Sequence, residues 1–432
     1  MTAAISLADG VPAQHEAGVS SPSAPALSRL ISRADYLLLY FVIFTACGAV
    51  YRYGAINTYL WYAIYAWTVA RLSLDLPALA ITVSRNWPVF IWPMLAIAST
   101  VWSLAPGVSL RGGFQLLMTT LIAIFIGSRF TLREILTALA VVLTLAAFVS
   151  LAMLYSGNPE AFNESGGFRG TFAHKNTLGL RMNILFAIAV IMSIAGARRR
   201  LAFLAAGIVA SYLLVLSQSA TSQILALATP VMMAALLASR RGPKQILFTV
   251  SGLAGLAAAF SVAAFVSDAD PVGLVLESFG KDATLTGRTW LWDIGFSEIN
   301  KHTIIGGGYQ AFWANAQGNE VLQIRHVLIG TVNGFHNVGV EVWNDLGLPG
   351  LAVLFWVLLV YAWRTFSHYR ASQSPAGLFP FFFLIIVIVS AAVNNSFFRQ
   401  HELVHVLICA FFAIAAPSLP VANGKALESR RC

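Results

Sequence analysis

The chain has 432 residues, of which 58% are hydrophobic and 10% are charged, with a formal net charge of +9. Soluble domains carry about a quarter charged residues, so this composition excludes an ordinary soluble protein and indicates a polytopic membrane protein. The three cysteines, Cys47, Cys409 and Cys432, indicate no disulfide framework. Apolar spans and the loops between them therefore define the organisation of the chain.

Apolar runs of about 17–25 residues are long enough to cross a bilayer as helices. Twelve runs approach this length, and they predict an all-α polytopic membrane protein with about 12 transmembrane helices. They lie at roughly 36–51, 55–70, 87–103, 112–127, 134–155, 177–195, 201–217, 222–238, 245–266, 346–363, 378–395 and 401–416.

These spans divide the chain into five parts. Residues 1–30 are rich in Ala, Ser, Pro and Gly and predict a disordered N-terminal tail. Helices 1–9 are expected within 31–266 and helices 10–12 within 346–416, separated by one large extracytoplasmic loop at 267–345. Residues 417–432 form a predicted C-terminal tail. The first span is expected to be an uncleaved anchor, because the start of the chain lacks a signal-peptide pattern.

Basic residues are concentrated on one predicted side of the membrane. With the N-terminus in the cytoplasm, 17 of the 27 Lys and Arg residues fall in the tails and inner connections. The positive-inside rule therefore predicts that both termini are cytoplasmic. The net positive charge is a topology signal, so we expect no nucleic acid as a partner. The loops at 156–176 and 267–345 then face the outside, and the larger one has nine acids and four bases.

Four basic side chains lie within 13 residues near the start of the predicted span 177–195, namely Arg169, His174, Lys175 and Arg181. A helix N-terminus favours anions through its free N–H groups and its dipole. Guanidinium groups bind phosphate in a bidentate manner. The cluster therefore predicts a phosphate or pyrophosphate site, with Arg181 about one turn inside the span. The alternative is that these side chains reach lipid headgroups.

Arg288 lies in the large loop, at the start of a helical apolar pattern that includes Trp290 and Trp292. Its guanidinium is a candidate ligand for a second phosphate oxygen, and the tryptophan rings are candidates to stack on sugar. The alternative for Arg288 is a salt bridge to Asp282 or Asp293. We expect the helix of this pattern to pack on the membrane face.

His336 is the candidate general base. A neutral imidazole accepts a proton from an attacking hydroxyl near pH 7. His336 and Asn337 come shortly before the predicted span 346–363, where the headgroup of a lipid-linked substrate would lie. The other histidines of the large loop, His302 and His326, are interpreted as solvated.

Other apparent motifs predict no metal and no cofactor. His401 and His405 have the spacing of a zinc pair, but no Cys or suitably placed acid joins them. The turn at Gly306–Gly308 lacks the Lys-Ser/Thr of a P-loop. Asp268 and Asp270 resemble a metal-holding acid pair of nucleotide-sugar enzymes, but they lie on the side where nucleotide sugars are absent.

Three motifs carry a family resemblance. They are Arg169-Gly-Thr-Phe-Ala-His174-Lys175-Asn176; Gly287-Arg288 with a Trp close behind, followed by Ile305-Gly-Gly-Gly308; and His336-Asn337 with nine residues before Gly347-x-x-Gly350. Over about 30–416 the chain resembles the O-antigen ligase and polysaccharide polymerase superfamily, and within it the exopolysaccharide polymerases of Gram-negative bacteria.

The resemblance implies a metal-independent glycosyltransferase of the bacterial inner membrane, GT-C-like in architecture, with the large loop in the periplasm. The implied donor is a glycan on undecaprenyl pyrophosphate, and the implied acceptor is a sugar hydroxyl. Membrane lipid and other polysaccharide export proteins are the further implied partners.

The resemblance also implies roles for the site residues. Arg288 and the Arg169 cluster, with Asn176, would hold the departing pyrophosphate. His336 would act as the base or position the acceptor, with Asn337 and Trp290 binding substrate. The segment Ser217-Gln-Ser-Ala-Thr221 departs from the pattern, because many relatives place a basic residue there. Another cation, such as Arg181, would have to substitute.

Within this resemblance we favour a polymerase, because the run from Arg169 to Asn176 looks closest to exopolysaccharide polymerases. The alternative is an O-antigen ligase that transfers the glycan to lipid A core. A 12-helix secondary transporter is the alternative from another class, and would place ionisable residues near the bilayer midplane. A flippase or scaffold without catalysis would lose no activity on substitution of His336.

Overall fold

The structure is a computed structural model that describes residues 24–49, 54–163, 166–238, 288–314, 334–372, 374–391 and 398–417. Within these ranges the regular structure is helical, apart from an isolated antiparallel bridge between Phe162 and Phe168. This part of the chain confirms the predicted all-α class. The expectations for residues 1–23, 418–432, the ninth span and the middle of the large loop fall outside the described residues.

The α-helices of the described ranges are α1 (Ala24–Ala46), α2 (Gly54–Ser73), α3 (Leu76–Arg85), α4 (Trp87–Ala98), α5 (Pro106–Arg129), α6 (Leu132–Tyr155), α7 (Lys175–Ile194), α8 (Arg200–Ser217), α9 (Ala220–Ala238), α10 (Arg288–Lys301), α11 (Ala311–Ala314), α12 (Val338–Ala371), α13 (Phe379–Ala391) and α14 (Leu403–Ile414). Short 3-10 helices lie at Ser99–Val101, Pro159–Ala161 and Pro375–Leu378.

Six of these helices, α5 to α9 and α12, are long and apolar enough to cross a membrane. The pair α2 and α3, bent by 107°, adds a seventh if it counts as one broken span. Shorter apolar helices occur at Trp87–Val101, Pro375–Ala391 and Leu403–Ile414. The described residues thus support a multi-pass membrane protein, and the total of 12 spans stays a prediction.

Helix α3 was not predicted from the apolar runs. Asp75 caps its start by accepting a hydrogen bond from the backbone N of Ala78 at 3.1 Å, and Pro77 occupies a favourable first-turn position. All its residues are at least partly exposed. At ten residues it is too short to give a hydropathy signal of its own.

Helix α7 is the most enclosed of the six candidate spans, with 78% of its apolar window buried. It packs against α6, α8 and α9. A Cβ added at Gly179 would lie only 2.7 Å from the Ser222 hydroxyl and 2.8 Å from Ser219 Cβ, so glycine permits the close approach of α7 to the start of α9. Ser217 and Ser219 of the divergent segment are buried in the same region.

Helix α12 begins at Val338, eight residues before the predicted span, and it is broken at Gly347 (φ 65°, ψ −155°). This break lies next to residue 346, where the span was predicted to begin, so the boundary between loop and membrane span stays a prediction. Glu341 and Asp345, which had been assigned to the loop, lie on the helical segment before this break. Their side chains are buried.

The glycine turn Gly306–Gly308 supplies the hydrogen bonds that the break in α12 removes. The N–H of Leu348 donates to Ile304 O at 3.0 Å, and Asn344 O accepts instead from Gly307 N at 2.8 Å. Pro349 has no N–H to offer to Asp345 O, which accepts from Gly308 N at 2.9 Å. The second and third sequence motifs therefore form one backbone junction.

Helix α10 packs against α12. Between them lies an aromatic cluster of Leu291, Ile299, Phe312, Trp313, Phe335 and Val340, with Trp290, Trp292, Ile294 and Trp343 packed around it. A Cβ at Gly295 would lie 2.6 Å from Val340 Cγ1, which shows how closely the helices approach. This cluster gives the described part of the large loop an apolar core next to His336.

Candidate functional site

His336 lies in the turn immediately before α12. It is half-buried, and its φ of +53° places it in the left-handed region that non-glycine residues seldom occupy. Asn337 is the N-cap of α12, and its side-chain oxygen accepts from Val340 N at 3.2 Å. The capping role of Asn337 was not predicted, and its predicted part in substrate binding stays a prediction.

Glu341, in the first turn of α12, connects the His336 turn to a distant segment. One carboxylate oxygen accepts from the backbone N of Phe335 at 2.8 Å, and the other accepts from Arg399 at 2.5 Å. Burial by itself would lower the pKa of Arg399, but the charge of Glu341, together with Tyr309 and Asp345, raises it above its usual value. Arg399 is therefore held as a cation beside a carboxylate.

A network of amide and carboxylate groups joins the glycine turn to the same segment. Asp345 accepts from the backbone N of Gln310 at 2.9 Å. The side chains of Gln310 and Gln400 exchange hydrogen bonds of 2.9 and 3.1 Å, and the Tyr309 hydroxyl donates to Gln400 at 2.9 Å. The segments 304–311, 334–345 and 398–402 therefore converge.

Backbone strain is concentrated in this region. Of the five non-glycine residues with positive φ in the described ranges, four lie in these segments: Gln310, His336, Phe398 and His401. Strained conformations of this kind cost about 1–3 kcal/mol each and cluster at functional sites. The strain supports the interpretation of the region as a site.

Arg181 lies at the other end of the same short segment. It is six residues into α7, about 9 Å along the helix axis, and is only 1% exposed. The helix begins two residues before the predicted span, so Arg181 lies further from its start than expected, and its depth in the membrane stays a prediction. Its guanidinium contacts Glu402 at 3.1 Å and Cys47 O at 3.1 Å. Nη1 is buried and has no hydrogen-bond partner among the described residues.

His401 and His405 have different partners. The His401 ring stacks on Trp61 with ring centres 4.2 Å apart and hydrogen-bonds the Tyr65 hydroxyl. The Nε2 atom of His405 lies 3.0 Å from Thr120 Oγ1. These contacts anchor the segment Phe398–Glu402 and the start of α14.

The predicted basic cluster gathers around the N-terminus of α7. Arg169 donates to Glu160 O at 3.2 Å and to Ala173 O at 3.1 Å, so its guanidinium also closes the loop. Partial desolvation, followed by the positive charge of Arg169, lowers the pKa of His174. His174 is the N-cap residue of α7, and Lys175 and Asn176 are its first residues.

The remaining predicted residues belong to α10, which packs against α12. Arg288 begins α10, and its side chain lies outside the described residues. Trp290 is half-buried against the aromatic cluster, and its predicted stacking on sugar stays a prediction. The segment Phe398–Glu402 contacts both Arg181 and Glu341.

Arg399 and the role of Glu341 were not predicted from the sequence. A signal was present, because Arg399-Gln-His-Glu402 is a polar run between two apolar segments at a predicted outer connection. The 58 positions that separate Glu341 from Arg399 hid the pairing.

Two comparisons bear on the family. The O-antigen ligase family matches residues 205–355, a range that contains Arg288, His336 and Glu341. The chain is 32% identical over 289 residues to the exopolysaccharide production protein ExoQ of Rhizobium meliloti (strain 1021). That match covers 63% of this chain and 63% of the relative. Together they confirm the predicted resemblance to the O-antigen ligase and polysaccharide polymerase superfamily.

Proposed function

We propose that this chain, which is similar to O-antigen ligases and exopolysaccharide production proteins, is a glycosyltransferase of the bacterial inner membrane. Its donor is a glycan linked to undecaprenyl pyrophosphate, and its acceptor is a sugar hydroxyl on a second glycan. Both termini lie in the cytoplasm, and the large loop faces the periplasm. Membrane lipid and other export proteins are the further proposed partners.

The observation that carries this proposal is the placement of His336. It occupies a strained turn at the N-terminus of α12, next to an aromatic cluster. Such a position presents an imidazole at the start of an apolar helix, where a lipid-linked headgroup would meet the protein. The O-antigen ligase match includes this turn.

The proposed reaction is a single displacement at the anomeric carbon. The acceptor oxygen forms a bond to this carbon as its proton passes to the His336 imidazole, and the bond from the carbon to pyrophosphate oxygen breaks. The leaving pyrophosphate needs charge stabilisation, which the Arg288 guanidinium and the basic cluster around Arg169 would supply. Losing one such contact is expected to cost a rate factor on the order of 10²–10³.

Polymerisation of repeat units is the favoured outcome, because the curated relative is named for exopolysaccharide production. Ligation to lipid A core is the second candidate, because the family match is described as O-antigen ligase. The two reactions share the donor and differ in the acceptor. We treat metal independence as part of the proposal.

The test uses purified protein with undecaprenyl-pyrophosphate repeat units, with or without lipid A core. Lipid-linked chains that lengthen without core support a polymerase, and products that require core support a ligase. His336→Ala is expected to lower the rate by about 10²–10⁴-fold. His302→Ala, a half-buried histidine of the same loop, is the matched control. Full activity in His336→Ala would reject the catalytic role of His336.

A further inference from the structure

We infer that Arg399 and Glu341 are positioning residues whose ion pair fixes the orientation of the Phe335–Asn337 turn that carries His336. This inference rests on the proposed function, since it assigns a reason for the orientation of the proposed base. Neither residue is placed in contact with substrate. Glu341 contacts the backbone N–H of Phe335, the residue before His336.

Hydrogen bonds hold both peptide groups that flank the Phe335 side chain. Its N–H donates to Glu341 at 2.8 Å, and its C=O accepts from Trp292 Nε1 at 2.9 Å. The Phe335 ring packs against Phe312 and Trp313, with ring centres 5.1 and 4.9 Å away. The residue before His336 therefore has little freedom to rotate.

The two carboxylate oxygens of Glu341 have different partners, the Phe335 turn and Arg399. Arg399 donates to the oxygen that Phe335 does not use, at 2.5 Å. A carboxylate fixed on one oxygen by a guanidinium keeps its other oxygen in a defined direction. Only 8% of the Glu341 side chain and 21% of the Arg399 side chain are exposed, so water competes poorly for either group.

Arg399 belongs to the segment Phe398–Glu402, which is anchored to α4 and α5. The adjacent Phe398 ring lies 4.3 Å from Trp92 of α4, and Phe398 O accepts from Trp92 and Tyr309. His401 N donates to Thr119 of α5 at 3.3 Å. The pair therefore fixes the His336 turn relative to α4 and α5, and hence relative to the bilayer that holds the donor lipid.

The charges of Glu341 and Arg399 also act on His336. Glu341 and Asp345 on α12 and Tyr309 in the glycine-turn segment act on the charge of Arg399. Helix α10, which packs against α12, carries Asp293, Glu298 and Lys301. Replacing Glu341 with glutamine leaves Arg399 unbalanced, which disfavours an imidazolium. Replacing Arg399 with methionine leaves Glu341 unbalanced, which favours it. The two substitutions therefore act on His336 with opposite sign.

The experiment compares Glu341→Gln, Arg399→Met, Arg399→Lys and the Glu341→Gln/Arg399→Met double variant in the chain-growth assay, with thermal unfolding as a check on folding. The single variants are expected to lower kcat by about 10–100-fold while the donor KM stays within about threefold, because a displaced base costs rate and not binding. Arg399→Lys, which keeps the charge, is expected to retain more activity than Arg399→Met. The double variant should lose no more than the worse single variant, since the residues act as a unit.

The pH profile of kcat/KM separates positioning from a general structural role. Its acid limb reports the free-enzyme His336. This limb is expected to move by about half a pH unit, to lower pH in Glu341→Gln and to higher pH in Arg399→Met. A purely structural defect would lower activity without moving the limb in opposite directions.

The outcomes are distinguishable from failure of the proposed function. If His336→Ala is inactive but Glu341→Gln and Arg399→Lys keep the wild-type kcat and pH profile, the inference is overturned and the proposed function stands. If His336→Ala is fully active, the proposed catalytic role fails first. If Arg399→Met does not fold, the two conservative variants decide the question by themselves. Additive losses in the double variant would also count against the inference.

Discussion

Gly347→Ala tests the junction that holds the candidate site together. The conformation at Gly347 (φ 65°, ψ −155°) belongs to a region that is essentially restricted to glycine. The strain of forcing alanine into it costs about 1–3 kcal/mol. An added Cβ would also collide with the Ile304 carbonyl and lie 2.7 Å from Gly306 N. Crowding against backbone that cannot rotate away adds about 1–3 kcal/mol more.

The assay is thermal unfolding in detergent, with chain growth measured in parallel. Gly157→Ala is the matched control, because Gly157 has a φ of +66° but open space around the added Cβ. The control carries the cost of positive φ without the collision. Gly347→Ala is expected to unfold at a clearly lower temperature than both wild type and the control. If it is as stable as Gly157→Ala, the reasoning about the glycine turn is refuted.

Two further predictions concern side chains around the segment Phe398–Glu402 and the basic loop. Arg181→Met is expected to destabilise the protein by less than the roughly 3–5 kcal/mol typical of a fully buried pair, because 36% of the Glu402 side chain is exposed. Thermal unfolding should show that stability recovers in the double variant Arg181→Met/Glu402→Met. No recovery would show that the two residues are uncoupled. Arg169→Gln is expected to lower the rate of chain growth by about 10²–10³-fold, because one charged contact to the leaving pyrophosphate is lost. The control Arg111→Gln should keep the wild-type rate, and an unchanged rate in Arg169→Gln would argue for a purely loop-closing role.

Hydropathy predicted the long helices well, because an apolar run signals both the presence and the length of a span. The five spans from 112–127 to 222–238 correspond to α5 through α9, with ends that agree within a few residues for four of them. The same signal was poor where structure depends on backbone details. It missed α3, which is short and half-exposed, and it did not predict the helical segment of α12 before Gly347, since Glu341 and Asp345 look like loop residues in a sequence.

Only part of the candidate site could be predicted from the sequence. His336 and the basic residues before α7 were marked by residue type and by their place next to spans. The pairing of Glu341 with Arg399 depends on how α12 approaches the start of α14, which no local pattern specifies. The glycine turn was recognised as a turn, but its use as a hydrogen-bond donor to the broken helix could not be inferred without the fold.

The central claim is that the chain transfers a glycan from undecaprenyl pyrophosphate with His336 as the base. The most direct measurement counts undecaprenyl pyrophosphate released against glycosidic bonds formed, for wild type and His336→Ala. In wild type, one undecaprenyl pyrophosphate should be released for each glycosidic bond formed. In folded His336→Ala, the rates of both products should fall by about 10²-fold or more. Release without bond formation, or equal rates in the two proteins, would contradict it.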